Sequence, residues 1–103
     1  MRLEILHVPD CPNASALTDR LDAALAGRRD VAIESHEVRD QAEAAVRRMT
    51  GSPTLLVDGA DPFAVAGQAP SLSCRLYADE AGVLSGAPTL DQLRAALATG
   101  TDR

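Results

Sequence analysis

Cys11 stands between Pro9 and Pro12 in the stretch HVPDCPNAS, His7 to Ser15. A thiol there has two chemistries open to it, nucleophilic attack on sulfur and ligation of a soft metal, and both need the thiolate. Pro12 suits the first position of a helix, where its missing N–H would be unsatisfied anyway, so Cys11 falls at the N-cap. Its sulfur then faces free backbone N–H groups and the positive end of the helix macrodipole, which stabilise thiolate over thiol. The competing reading is a small, buried, unreactive apolar residue, since cysteine is among the most buried residue types. The polar, proline-rich loop favours exposure.

The second thiol, Cys74, lies in LSCRLYA, Leu72 to Ala78. Alternation with Leu72 and Leu76 makes it a core thiol on a strand face, set apart from the polar loop of Cys11. The alternative is a second or resolving thiol for Cys11. His7 lies four residues before Cys11 and is a candidate base, although a strand histidine reads more readily as a structural residue. His36 is expected to be solvated beside Glu34 and Glu37. Two His and two Cys without zinc-ligand spacing give no reason to expect a metal, and no motif implies an organic cofactor.

The elements that position these residues follow from periodicity. RLEILHV, Arg2 to Val8, puts Leu3 and Ile5 on one face and Leu6 and Val8 on the other, as a central strand buried on both sides does. Leu17, Leu21, Ala24 and Leu25 form one stripe of a helix ending at Gly27. DVAIESHEV, Asp30 to Val38, reads as a second strand, parallel to the first through a right-handed crossover. Asp40 and Glu43 form a capping box opening a helix through Met49, with Ala42, Ala45, Val46 and Met49 as its buried face. SPTLLVDG, Ser52 to Gly59, is a third strand with a proline at its head, where proline must take an edge, a first position or a bend. The Gly, Ala and Pro-rich insertion 59–71 lacks periodicity. Leu72 to Ala78 is a fourth strand, and Thr89 with Gln92 caps a last helix carrying Leu90, Leu93 and Leu97. The order is β-α-β-α-β-β-α, an α/β arrangement in one domain spanning 1–103.

Composition narrows the function classes. All ten basic residues are arginines scattered along a chain of net charge -5, which argues against a nucleic-acid or anionic-membrane surface. Phe63 and Tyr77 are the only aromatics, too few to stack bases or sugars. No apolar run approaches ~18 residues and no leader pattern opens the chain, so a cytoplasmic protein is expected, with its cysteines as thiols. A monomer is expected.

The chain resembles the thioredoxin-like superfamily over nearly its whole length, on CPNA at Cys11 to Ala14, GSPTLLVDG at Gly51 to Gly59, and the terminal APTLDQLRAAL. The resemblance implies a single thioredoxin-like domain with a four-stranded mixed sheet flanked by helices. It also implies a cis Ser52–Pro53 bond packed beside Cys11, with Pro12, Ser52 and Pro53 as the substrate-binding set. Ala14 occupies the place of the second cysteine of dithiol members, so the chain looks like a monothiol variant. Its implied partner is a protein disulfide or a low-molecular-weight thiol, exchanging at Cys11 without a cofactor. A thioredoxin-like domain that only binds a partner is the alternative. SLSCRLYADEAGVLSGAPTLDQL is also similar to the C-terminal part of organomercurial (alkylmercury) lyases, whose two essential cysteines lie on a thioredoxin-like scaffold. That similarity implies mercury or metal binding by Cys11 and Cys74. Those lyases set an aspartate beside their cysteines; here Asp10 is adjacent to Cys11, in a different spacing.

Overall fold

The computed structural model describes residues 1–28 and 30–101, and the side chains of 99–101 are not among those described. Its centre is β1 (Arg2–His7), whose residues Leu3 to Leu6 are all buried because both of its faces are covered. Leu3 and Ile5 point to one layer and Leu6 to the other, as the period of two requires. β1 pairs in parallel with β2 (Ala32–Glu37), with Arg2 opposite Ala32 and His7 opposite Glu37.

Between them runs α1 (Pro12–Leu25), with Pro12 in its first turn and Cys11 at the N-cap, as the sequence predicts. It buries Leu17, Leu21 and Leu25. The helix stops where Ala26 and then Gly27 turn left-handed, at φ 50° and 82°. α3 (Leu90–Thr101) packs beside α1 through Leu93 and Leu97. The expected capping box at its start is present in full: Gln92 N donates to Thr89 Oγ1, and Thr89 N donates to Gln92 Oε1.

On the opposite face of the sheet, α2 (Gln41–Arg47) starts at Asp40, whose carboxylate accepts from Glu43 N at 2.8 Å. Its buried face differs from the expected one. Ala44 and the following Met49 are buried with Leu6, Val38 and Leu56, whereas Val46 is 83% exposed and Ala42 and Ala45 are also exposed. Ala44 turns toward the sheet, and Val46, roughly 200° further round the helix, faces away from it.

The four-stranded sheet divides. Pro53 has no N–H to give to a ladder, and it splits the expected third strand into β3 (Thr50–Ser52) and β4 (Thr54–Val57). β4 pairs antiparallel with β1, completing a three-stranded sheet of order β2-β1-β4, while β3 pairs in parallel with β5 (Ser71–Cys74). The strand expected over Leu72 to Ala78 is likewise broken, and its second piece, β6 (Tyr77–Ala78), pairs with β7 (Leu84–Ser85) in a small antiparallel ribbon. Among the described residues the architecture is mixed α/β with three helices and three small sheets. Residues 59–70 are largely irregular, as their composition indicated. No helix among the described residues is long and apolar enough to cross a membrane.

Candidate functional site

Cys11 occupies the loop at the carboxyl end of β1, half-buried, with extended backbone at φ -75° and ψ 112°. Its carbonyl accepts from Ala14 N at 3.3 Å, while its side chain makes no capping hydrogen bond. Asp10 precedes it in left-handed conformation, φ 59°, and Pro12 follows exposed, so the half-buried thiol sits at a sharp corner. The far side of that corner is closed by the loop ahead of α3. Gly86 lies so near α1 that a Cβ on it would meet the Asn13 side chain at 2.3 Å. Arg20 donates to the carbonyls of Ala87 and Pro88 at 3.1 and 2.8 Å, fastening the same loop to α1.

His7 is not aimed at Cys11. Its Nδ1 lies 3.0 Å from the Val8 carbonyl and its Nε2 2.9 Å from Ser35 Oγ, so both ring nitrogens are engaged within the sheet.

Ser52–Pro53 is a cis peptide. Both residues lie beneath the surface, Ser52 at 1% exposure and Pro53 among the fully buried side chains. Ser52 Oγ accepts from Val8 N at 3.0 Å, which ties β3 to the start of the Cys11 loop. The Ser52 carbonyl accepts from Arg75 N at 3.0 Å, and the Pro53 carbonyl accepts from the Tyr77 hydroxyl. An extended peptide could pair with Ser52 only by displacing β5.

Cys74 is where the structure overturns the sequence reading most plainly: it is exposed, a free thiol, and not a core residue. The inward residues of this stretch are Arg75 and Tyr77 instead, at 5% exposure each, while Leu76 is 59% exposed. Arg75 tolerates burial because every side faces a partner. It reaches Asp61 Oδ2 at 2.7 Å, the Phe63 carbonyl at 2.8 Å, and Thr50 Oγ1 at 3.1 Å. Its guanidinium also lies 4.6 Å from the Tyr77 ring centre, over the face where the ring quadrupole attracts a cation. With Arg75 turned in, the period of two turns Cys74 out.

The topology brings the two thiols to one end of the molecule. β1 delivers Cys11 past its carboxyl end; Ser52 of β3 is tied to the start of that loop by its bond from Val8 N; and Cys74 is the register partner of Ser52 on β5. Close approach of β3 and β5 depends on Gly51, whose φ is +123° and whose added Cβ would stand 2.7 Å from Arg75 Cβ.

Sequence reasoning missed Arg75 and Asp61, whose partnership spans fourteen residues and a stretch without periodicity. It also placed His36 in solvent, whereas Nε2 of that ring is buried against the sheet. Comparison with known proteins finds no matching family model, no matching curated protein and no matching solved structure.

Proposed function

We propose that the chain is a thioredoxin-like thiol-exchange protein in which Cys11 is the nucleophile and the substrate is a low-molecular-weight disulfide. The observation that carries this reading is the corner itself: a half-buried thiol at the N-cap of α1 with no capping bond of its own, followed by an exposed proline. The Cys11 thiolate attacks a disulfide RSSR, forming the mixed disulfide Cys11–S–S–R and releasing RS⁻. A second thiolate R′S⁻ then attacks the R sulfur of the mixed disulfide, forming R′SSR and expelling Cys11 as thiolate. Atoms and electrons balance over the two exchanges. Pro12 offers the contact surface, and Ser52 and Pro53 back the loop from beneath. Their carbonyls already accept from Arg75 N and the Tyr77 hydroxyl, which favours a small substrate over an extended protein segment.

A second reading is favoured by one observation. Cys74 is exposed at the end of the molecule that carries Cys11, which suits capture of a soft cation such as Hg(II) by two thiols. The two readings separate in one set of variants. For exchange, Cys11→Ser abolishes turnover of a small disulfide, Cys74→Ser leaves most of it, and Cys11 alkylates faster than Cys74 below neutral pH. Capture by two thiols instead requires one equivalent of Hg(II) to consume both thiols, with no turnover in the unmodified protein. Equal alkylation of both cysteines across the pH range would remove the case for an activated Cys11.

A further inference from the structure

A second cluster of reactive groups lies away from the thiols, on the face of the sheet that carries α2. Glu4 of β1 stands directly opposite Glu34 of β2, and His36 stands opposite Leu6, so strand register turns all three side chains to the same face. Their ligand atoms lie within 4.8 Å of one another, the one such grouping of metal-binding side chains among the described residues. His36 Nε2 is 3.2 Å from Glu34 Oε1 and 3.5 Å from Glu4 Oε2. It is nevertheless a buried nitrogen that makes no hydrogen bond, although both carboxylates stand within ion-pair distance. An atom so placed carries a desolvation cost that an aligned partner would offset.

The distances say what would complete the site. Zinc holds imidazole nitrogen and carboxylate oxygen at about 2.0–2.2 Å in a tetrahedron, so two of its ligands stand roughly 3.3–3.5 Å apart. His36 stands close to that separation from both carboxylates, at 3.2 and 3.5 Å, and all three ligand atoms lie within 4.8 Å. Glu4 is 9% exposed, so its charge sits in a poorly solvated position where a cation gains most. Arg2 steadies the pair, donating from Nε to Glu34 Oε2 at 3.2 Å and from Nη2 to Glu4 Oε2 at 3.3 Å. A charged group bonded to the ligands in this way orients them and offsets the repulsion between two adjacent carboxylates. Glu4 also lines an open groove of about 590 Å³ bounded by Ala42, Val46 and Arg47 of α2 and by Leu56.

We propose that Glu4, Glu34 and His36 form a three-ligand site for a first-row divalent cation of the zinc class, with its fourth coordination position turned toward the groove under α2. One imidazole with two carboxylates suits an ion of intermediate softness, and three protein ligands are the number found where a fourth position is kept for water or a substrate. The site does not depend on the thiols or on their proposed chemistry.

The test uses the full chain with both cysteines replaced, Cys11→Ser and Cys74→Ser, so that sulfur ligation is removed from the outset. Co(II) should bind this protein at one equivalent, giving visible d–d bands without the sulfur charge-transfer bands of thiolate ligation. Zn(II) should displace it. Adding Zn(II) should shift the imidazole ¹⁵N resonances of His36 and leave those of His7 in place. Glu34→Gln, on the exposed strand, should weaken binding at least about 10- to 100-fold, the loss seen even for residues one shell further out. His36→Gln should do the same while retaining the far-ultraviolet dichroism of the parent. Absence of Co(II) binding by the cysteine-free protein, shifts at His7 in place of His36, or undiminished affinity in Glu34→Gln would each overturn the site.

Discussion

Arg75→Met is the substitution that tests the packing around Cys74. In the native fold the Arg75 side chain is 3% exposed and pairs with Asp61, itself 13% exposed, at 2.7 Å. Methionine fills much of the same volume but leaves the Asp61 carboxylate buried, with the 2.8 Å bond from Phe63 N as its remaining recorded partner. Breaking one side of a buried pair costs about 3–5 kcal/mol. The four further hydrogen bonds of this guanidinium to Thr50, Thr54, Phe63 and Asp61 Oδ1 place the loss at the upper end of that range. Against a total of roughly 5–15 kcal/mol for a domain, this is a large fraction. Urea unfolding followed by far-ultraviolet dichroism reads the change directly. A double-mutant cycle with Asp61→Asn, which keeps an acceptor for Phe63 N, should show coupling of roughly 1–3 kcal/mol. A loss below about 1 kcal/mol, with the two substitutions additive, would refute the buried pair and with it the reason that Cys74 faces outward.

Burial pushes the Tyr77 phenol well above its ordinary range, while the nearby Arg75 charge opposes that shift more weakly. Because the folded state resists ionisation, the stability this group contributes is whole below about pH 10, where the unfolded phenol titrates, and falls as pH rises beyond it. Phenolate absorbance of this single tyrosine should therefore appear together with alkaline unfolding; a reversible titration near pH 10 in the folded protein would show the ring to be solvated. Asp40→Ala removes the N-cap of α2 and should cost about 1 kcal/mol in the same urea experiment, with the loss confined to stability and no change in Cys11 alkylation. An effect on Cys11 reactivity would mean that α2 and the thiol loop are coupled.

What could be read from the chain were the elements whose signals are local. β1 is apolar on both faces, Pro12 follows Cys11, and the Thr89–Gln92 box needs three residues only; each is found where the pattern put it. Misreadings arose where a distant partner reversed a local preference. Leu72, Cys74 and Leu76 look like an inward face, but Arg75 is drawn inside by Asp61, Thr50 and the Phe63 carbonyl, and the leucine turns out. Val46 looks like a core residue on an amphipathic helix, yet with Ala44 turned inward it falls on the opposite face of α2. The thiol at the start of α1 was legible because two prolines frame it. The Glu4, Glu34 and His36 cluster was not, since it is assembled by strand register across thirty residues and no sequence spacing encodes it.

β2 lies at one margin of its three-stranded sheet, with its outer side open to another strand. A bare strand invites another to add to it, and proteins deter this with charge along the margin. β2 is exposed along nearly its whole length and carries Glu34 and Glu37. A second molecule laying the same strand alongside would bring carboxylate against carboxylate in a chain of net charge -5. Arg2, hydrogen-bonded to Glu34, holds that carboxyl below the usual carboxylate range, so its charge persists into mildly acidic solution. Charge carried on both faces of this strand thus opposes edge-to-edge addition of a second copy.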